Sequence, residues 1–307
     1  MVLKLKGKNR RLFNDTLLDV ALVSPQLLLY LLFLIVPLFI GLPIVFTNMR
    51  GFADHQRTFV GLKNFYDLLI RPGYERNILY NSIYRNTIFF IINYLTVYLF
   101  GLSFALLMYA GRFGHGFFTI IYLPMMVSQL AIGYIMTMLF SKSTGSLNLL
   151  LLQLDLISQP INIQSSAGST WIVPLIVGWE FAGYNLAIFL SGLYSIPNET
   201  VEASIIDGTS YLQRLRYVIF PQMKDSFVIA TVMCITGSYQ IFDQAVALGG
   251  LGGNKNVEFV AIGLWKFMFR HGAVGKAMTM TFIIGIPLFI FALFFTKRQK
   301  KMIDRGR

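Results

Sequence analysis

The chain has 307 residues, of which 55% are hydrophobic, 15% aromatic and only 13% charged, and its mean hydropathy is +0.63. That composition excludes an ordinary soluble domain of this length and predicts a polytopic membrane protein. The formal net charge of +12 raises nucleic acid as a partner, and the placement of the charges along the chain decides against it.

Runs near the ~20 apolar residues needed to cross ~30 Å of hydrocarbon occur at Ser24–Phe46, Thr87–Ala110, Phe117–Phe140, Trp171–Leu193, Phe227–Leu248 and Ala277–Thr296. They predict an all-α integral membrane protein: a basic N-terminal segment over 1–23, a six-helix membrane domain over 24–296 and a basic tail over 297–307. The first run follows a basic stretch, as a secretory signal would. It exceeds the ~7–15 residues of a signal core and has no small-x-small cleavage site, so an uncleaved helix is predicted.

Lys4, Lys6, Lys8, Arg10 and Arg11 precede the first span; Lys297, Arg298, Lys300, Lys301, Arg305 and Arg307 follow the last. With Arg112, Arg214, Arg216 and Lys224 they make fifteen of the 26 basic residues, all on segments that are cytoplasmic if six spans start inside. The positive-inside rule therefore predicts both termini in the cytoplasm and makes most of the excess charge topological. Arg50, Arg57, Lys63, Arg71, Arg76 and Arg85 run against this bias, on a loop long enough to vote weakly.

The loop from Thr47 to Asn86 carries Phe59-Val60-Gly61-Leu62-Lys63-Asn64-Phe65. The turn Gly111–Gly116 predicts an antiparallel hairpin of spans two and three, and Ser141–Thr170, rich in Ser, Gln and Asn, reads as a mobile outer loop. The fourth span contains Gly178-Trp179-Glu180-Phe181-Ala182-Gly183-Tyr184-Asn185. An acid at the centre of a span costs about +2.5–3.5 kcal/mol on insertion scales, so such groups need a purpose: interhelical hydrogen bonding or a ligand.

Between spans four and five lies a polar, basic island, 196–226. Pro197 suits a first helical turn, and Glu199 and Glu202 lie near the positive end of that helix. Gly208 suits a left-handed stop. Ser210 and Gln213 form a capping-box pattern for a second helix, Tyr211 to Phe220, with Tyr211, Leu215 and Val218 on one face and Pro221 as its stop. The sequence Glu202-Ala203-Ser204-x-x-Asp207-Gly208, followed after nine residues by Val218-Ile219-Phe220-Pro221, resembles the EAA loop (Glu-Ala-Ala-x₃-Gly-x₉-Ile-x-Leu-Pro) of permease subunits in binding-protein-dependent type I ABC importers. Ser204 replaces the second Ala, and Val218 and Phe220 replace Ile and Leu. A DNA-reading helix-turn-helix would have to sit between two membrane spans.

The Gly61-Leu62-Lys63-Asn64-Phe65 segment and Gly272-Ala273-Val274-Gly275-Lys276-Ala277 resemble carbohydrate-type permeases, and the chain is similar to the larger permease subunit of the maltose transporter. The resemblance implies a cytoplasmic coupling knuckle that fits a cleft on an ATPase. Glu202, Ala203, Ser204, Asp207, Gly208 and Pro221 would make or brace it. It also implies a second permease subunit, two ATPase subunits that carry ATP and Mg, an extracellular or periplasmic solute-binding protein, and a bacterial-type cytoplasmic membrane. Trp179, Glu180, Tyr184 and Asn185 would then be candidates for a sugar path, and so would Tyr239, Gln240, Phe242 and Asp243 at the outer half of span five.

Leu248-Gly249-Gly250-Leu251-Gly252-Gly253-Asn254-Lys255 lacks the Gly-Lys-Ser/Thr ending of a phosphate loop and reads as a flexible turn. Val257 to Phe269 reads as an interfacial helix anchored by Trp265. His55, His115 and His271 have no ligand spacing, the single cysteine, Cys234, reads as a small core residue, and no nucleophile elbow or Walker A occurs. No catalytic or metal site is expected, and no cofactor on this chain. The remaining readings are a permease of the same importer family for a nonsugar solute, a self-contained secondary transporter, which needs an internal repeat that the chain lacks, and a membrane enzyme, which needs a catalytic cluster.

Overall fold

A computed structural model describes residues 20–51, 57–163 and 169–305. The basic run from Lys4 to Arg11, as well as His55 and Arg307, lies outside the described residues. No β-strand forms among the described residues, only the isolated bridges Thr47–Phe59 and Arg50–Ala273.

The first helix, α1 (Val20–Ile44), is apolar on every side and exposed along its length, Leu22 and Phe33 more than three-quarters so. A helix of this kind requires an apolar surround. Its end is tied down by α2 (Lys63–Leu69): the Asn64 amide donates to the carbonyls of Val45 and Thr47, both at 2.8 Å. A helix C-terminus leaves carbonyls without partners, and a buried Asn three residues after the turn glycine Gly61 is placed to satisfy them.

The helix α3 (Tyr74–Tyr109) runs 36 residues, about 54 Å at 1.5 Å per residue. It begins well before Thr87, where the hydropathy rises. Glu75, Arg76, Asn77 and Arg85 make its first three turns look like a loop, yet Ile78 and Leu79 on the other side are buried. There Lys276 pairs with Glu75 and with Asp67, which also meets Arg71 at 3.6 Å.

Spans three and four are broken rather than straight. The helices α4 (Gly116–Met126) and α5 (Gln129–Leu139) diverge by 92°, because Val127 and Ser128 are extended (ψ 141° and 131°) after a tight turn containing Pro124. The short α6 (Ser146–Gln153) follows in the segment read as a mobile loop. It is held by buried Asn148, which donates to the carbonyls of Phe140, Ser141 and Ile161 and accepts from the Ile161 N–H at 2.9 Å. The helices α7 (Ser169–Glu180) and α8 (Ala182–Tyr194) meet at 52°, hinged on Phe181 (φ −92°, ψ 8°).

After α9 (Asn198–Ile206) and α10 (211–222) come α11 (Lys224–Gln240) and α12 (Asp243–Ala247), separated by non-helical Ile241 and Phe242. The glycine-rich stretch after α12 is closed by hydrogen bonds, Gly250 N–H to Ala245 at 2.8 Å and the Asn254 amide to Leu248 at 2.8 Å. The predicted interfacial helix is instead α13 (260–270), packed inside the bundle. Val260, Ile262 and Phe267 are buried, Trp265 is half-buried, and a buried Lys266–Glu258 pair at 2.9 Å replaces the expected wet face. The last helix, α14 (Val274–Arg305), carries the basic tail as its own continuation. Among the described residues four helices are long and apolar enough to cross a membrane, and up to six if each bent pair is one span.

Among the described residues three apolar clusters hold the bundle, and α3 enters all of them. Phe89 packs with α5, α7 and α12. Val97 and Ala105 pack with α8, α10 and α11, and Ile78 and Leu79 with α2, α13 and α14. Between membrane helices apolar burial gives little drive, so close backbone approach has to supply the contact. At Gly178 a Cβ would overlap the Thr96 side chain of α3, and at Gly183 it would overlap the backbone of Ile121 and Tyr122 in α4. In the fold these glycines are points of close helix contact on either side of the Phe181 hinge.

Candidate functional site

Two places gather the singled-out residues: a knuckle formed by α9 and α10, and a cavity between α3, α5, α7–α8 and α11–α12. Tyr109 at the end of α3 meets Tyr194 at the end of α8, with ring centroids 6.0 Å apart. The knuckle therefore sits at the end of the bundle opposite α2 and α13.

In the knuckle, Pro197 precedes the helix as its cap (φ −58°, ψ 133°) instead of sitting in the first turn, and Glu199 lies within that turn. Ser204, where the motif has Ala, is buried. Its hydroxyl donates to the Val201 carbonyl at 2.6 Å, and its own carbonyl accepts from the Thr209 hydroxyl at 2.6 Å. A serine that bonds back into its own turn takes the place of an alanine without an unmet polar group. Gly208 adopts φ +75°, a conformation costly for residues with a Cβ. Ser210 and Gln213 form the reciprocal capping box, with the Gln213 side chain accepting from the Ser210 N–H at 2.8 Å.

The expected apolar face of α10 is corrected. Tyr211 is exposed and Val218 half-buried, while Leu215, Ile219 and Met223 are buried. A π-helical turn over Leu215–Ile219 rotates the face. That turn also explains why Pro221 does not end the helix, as expected, at Phe220. The widened register tolerates a missing N–H, so the chain stays helical to Gln222, pauses at Met223 (φ −83°, ψ 7°) and enters α11. The tip presents Ile206 at 86% exposure and Leu212 at 75%, beside Ile205 and Tyr217 and flanked by exposed Glu202, Ala203 and Asp207. The Arg216 guanidinium lies 5.7 Å from the Tyr217 ring centroid. Ile206 and Leu212 were not among the residues singled out by sequence.

The cavity encloses about 400 Å³. Its walls are Phe89, Asn93 and Val97 of α3; Gln129 of α5; Val177, Phe181, Tyr184 and Asn185 around the α7–α8 hinge; and Met233, Cys234, Thr236, Gly237, Gln240, Ile241 and Gln244 of α11–α12. Of the path candidates, Tyr184, Asn185 and Gln240 line it. Glu180 is fully buried beside it and accepts from the Gln244 amide at 3.1 Å. Asn185 donates back to the Phe181 carbonyl at 2.9 Å, at the hinge. Trp179, Tyr239, Phe242 and Asp243 do not line it: Trp179 and Asp243 are exposed, and Tyr239 and Phe242 pack against two of the apolar clusters.

Sequence reasoning missed Asn93, Gln129, Thr236 and Gln244; Cys234, read as a small core residue, is buried in the apolar cluster of α8, α10 and α11 and also edges the cavity. A lone amide in the apolar run from Ile88 to Phe100 was the available signal for Asn93. Among the described residues no group of His, Cys, Asp and Glu comes together as metal ligands.

Residues 97–305 match the family described as the binding-protein-dependent transport system inner membrane component. The chain belongs to that family. It is therefore a membrane-embedded transport subunit, and the match covers the α8–α11 region in which the knuckle lies. The chain is 27% identical, over 96% of its length and all of the relative's, to the probable starch degradation products transport system permease protein AmyD of Thermoanaerobacterium thermosulfurigenes. It is 26% identical to the multiple sugar-binding transport system permease protein MsmF of Streptococcus mutans, over 90% of this chain and 92% of that one. Its fold is similar to that of a chain in the crystal structure of a bacterial ABC transporter involved in the import of the acidic polysaccharide alginate, with a TM-score of 0.73, 18% identity and coverage of 95% and 99% of the two chains.

Proposed function

We propose that this family member is the permease subunit of an importer that moves a carbohydrate, in particular an oligosaccharide, into the cytoplasm. The observation that carries the proposal is the knuckle: a capped helix pair whose tip exposes Ile206 and Leu212, an apolar knob with no lipid-spanning role. Its fit is to a cleft on an ATPase subunit, which binds ATP and Mg and hydrolyses the nucleotide; this chain carries neither. Because α10 continues through Met223 into α11, a push on the knuckle moves a wall of the cavity directly. The names of AmyD and MsmF support a saccharide as the solute, and so does the mixture of amides and aromatic rings around the cavity.

The assembly contains a second permease subunit, two ATPase subunits and a solute-binding protein outside. A related alginate transporter is solved with a periplasmic protein carrying an alginate pentasaccharide. With six spans, both termini and the knuckle face the cytoplasm.

The test is to co-express the tagged chain with its genomic neighbours and identify what copurifies with wild type and with Gly208→Pro. An ATPase recovered with wild type and lost with the variant is the expected result. A chain that purifies alone and transports by itself would contradict it.

A further inference from the structure

We propose that α2 is an interfacial anchor: it lies in the boundary layer of the leaflet opposite the knuckle, its outer face in lipid and its basic rim on the phosphates of anionic headgroups.

The helix is inside out. Its inward face is polar, with Asn64 and Asp67 only 3% and 4% exposed beside fully buried Leu68. Its outward face is apolar: Leu62 (67% exposed), Tyr66, Leu69 and Ile70 (61%) project from it, next to exposed Phe59. A helix lying in water would have the reverse pattern, so this face requires an apolar cover.

The depth of α2 decides the cover. The span α1 runs 25 residues, about 37 Å at 1.5 Å per residue, so its last turn reaches the edge of a hydrocarbon core of ~30 Å. There the Asn64 amide holds the carbonyls of Val45 and Thr47. Asp67 lies 3.5 Å from Lys276, in the first turn of α14, where another apolar span begins at Val274. The helix is thus pinned at the level where two spans meet the membrane boundary. Phe39, Ile40 and Leu42 near the end of α1 are exposed as well, so the apolar surface of that span continues to this level.

Two further features suit that layer. Exposed tyrosines gather around α2, Tyr66 on it and Tyr74, Tyr80 and Tyr84 on α3, as in the aromatic belts of membrane proteins. Two carbonyls at the end of α2 need no water: the Tyr80 hydroxyl donates to that of Leu69 and the Arg76 guanidinium to that of Ile70, both at 3.3 Å.

The charges point to the headgroup. A hollow of about 570 Å³ beside α2 is lined by the acids Asp67 and Glu75, by His271, and by Arg50, Lys63, Arg71 and Lys276. Both acids pair with Lys276, and Asp67 also with Arg71. Exposed Lys63 makes no ion pair among the described residues. Lys63 and Arg71 therefore offer positive charge on the rim, and at the membrane boundary the anion to meet it is a lipid phosphodiester.

To test this, p-benzoylphenylalanine replaces Leu62, Tyr66 or Ile70, one at a time. The complex is reconstituted in vesicles of equal phosphatidylglycerol and phosphatidylcholine with the solute-binding protein in excess, irradiated, and the chain is weighed by mass spectrometry. The expected result is a phospholipid adduct at all three positions, phosphatidylglycerol favoured about fivefold, with the ratio falling towards one in the double variant Lys63→Gln, Arg71→Gln. A cross-link to the solute-binding protein or to the partner permease, or no adduct at all, would overturn the lipid assignment. Lipid adducts in a ratio of one, or a ratio unmoved by the double substitution, would overturn the headgroup assignment.

Discussion

At the residue scale, Gly183 carries more than its size suggests, because the backbone of α4 lies where its Cβ would be. Gly183→Leu is expected to force α4 and α8 apart at a cost of about 1–3 kcal/mol or more, read as a lowered thermal midpoint of the detergent-solubilised complex. Gly237→Ala, with nothing near its missing Cβ, should leave the midpoint within a degree or two of wild type. Equal midpoints for Gly183→Leu and wild type would show that the close approach is absent.

Residues of this kind differ in how legible they were. Gly208, Ser210 and Gln213 could be read directly, since a left-handed stop and a capping box are set by neighbours three residues away. Gln244 and Asn93 could not. An amide in an apolar segment reads the same whether it pairs with a neighbouring helix or faces a cavity, and the partner of Gln244 lies 64 residues away.

At the element scale, the two bent spans and the continuous α10–α11 path are what the hydropathy pattern hid. A window of about 20 residues averages over a two-residue extended break, so Val127–Ser128 disappears inside an apolar run even though Pro124 marks the place. Pro221 misled in the opposite direction: a π-helical turn absorbs it, and the stop becomes a relay into α11. The polar start of α3 was read as loop because Glu75 pairs across space, with Lys276, which also meets Asp67, rather than along the chain.

The knuckle, by contrast, depends on a local cap, and its energetics can be predicted. Ser210→Ala should remove about 1 kcal/mol from α10 and weaken ATPase binding about fivefold, measured by titrating the ATPase into the detergent-solubilised permease. Ser210→Asn, a good cap, should restore most of the loss. Undiminished binding by Ser210→Ala would mean that the knuckle is ordered by its partner rather than by its own cap.

At the scale of the whole molecule, α3 is the strut common to three apolar clusters, and the knuckle and cavity are joined by α11. Closure at one end can therefore reach the other without a long chain of intermediaries. The all-α class followed from composition and hydropathy, with four clear spans and up to six among the described residues, whereas the cavity required the actual crossing of helices, with glycines at the contacts.

The most direct test of the account is uptake of a labelled oligosaccharide by proteoliposomes holding this chain, its partner permease and the ATPase subunits. The account predicts uptake only when ATP is inside and the loaded binding protein outside, abolished by Gly208→Pro. Uptake by this chain alone, driven by an ion gradient and indifferent to ATP, would contradict it.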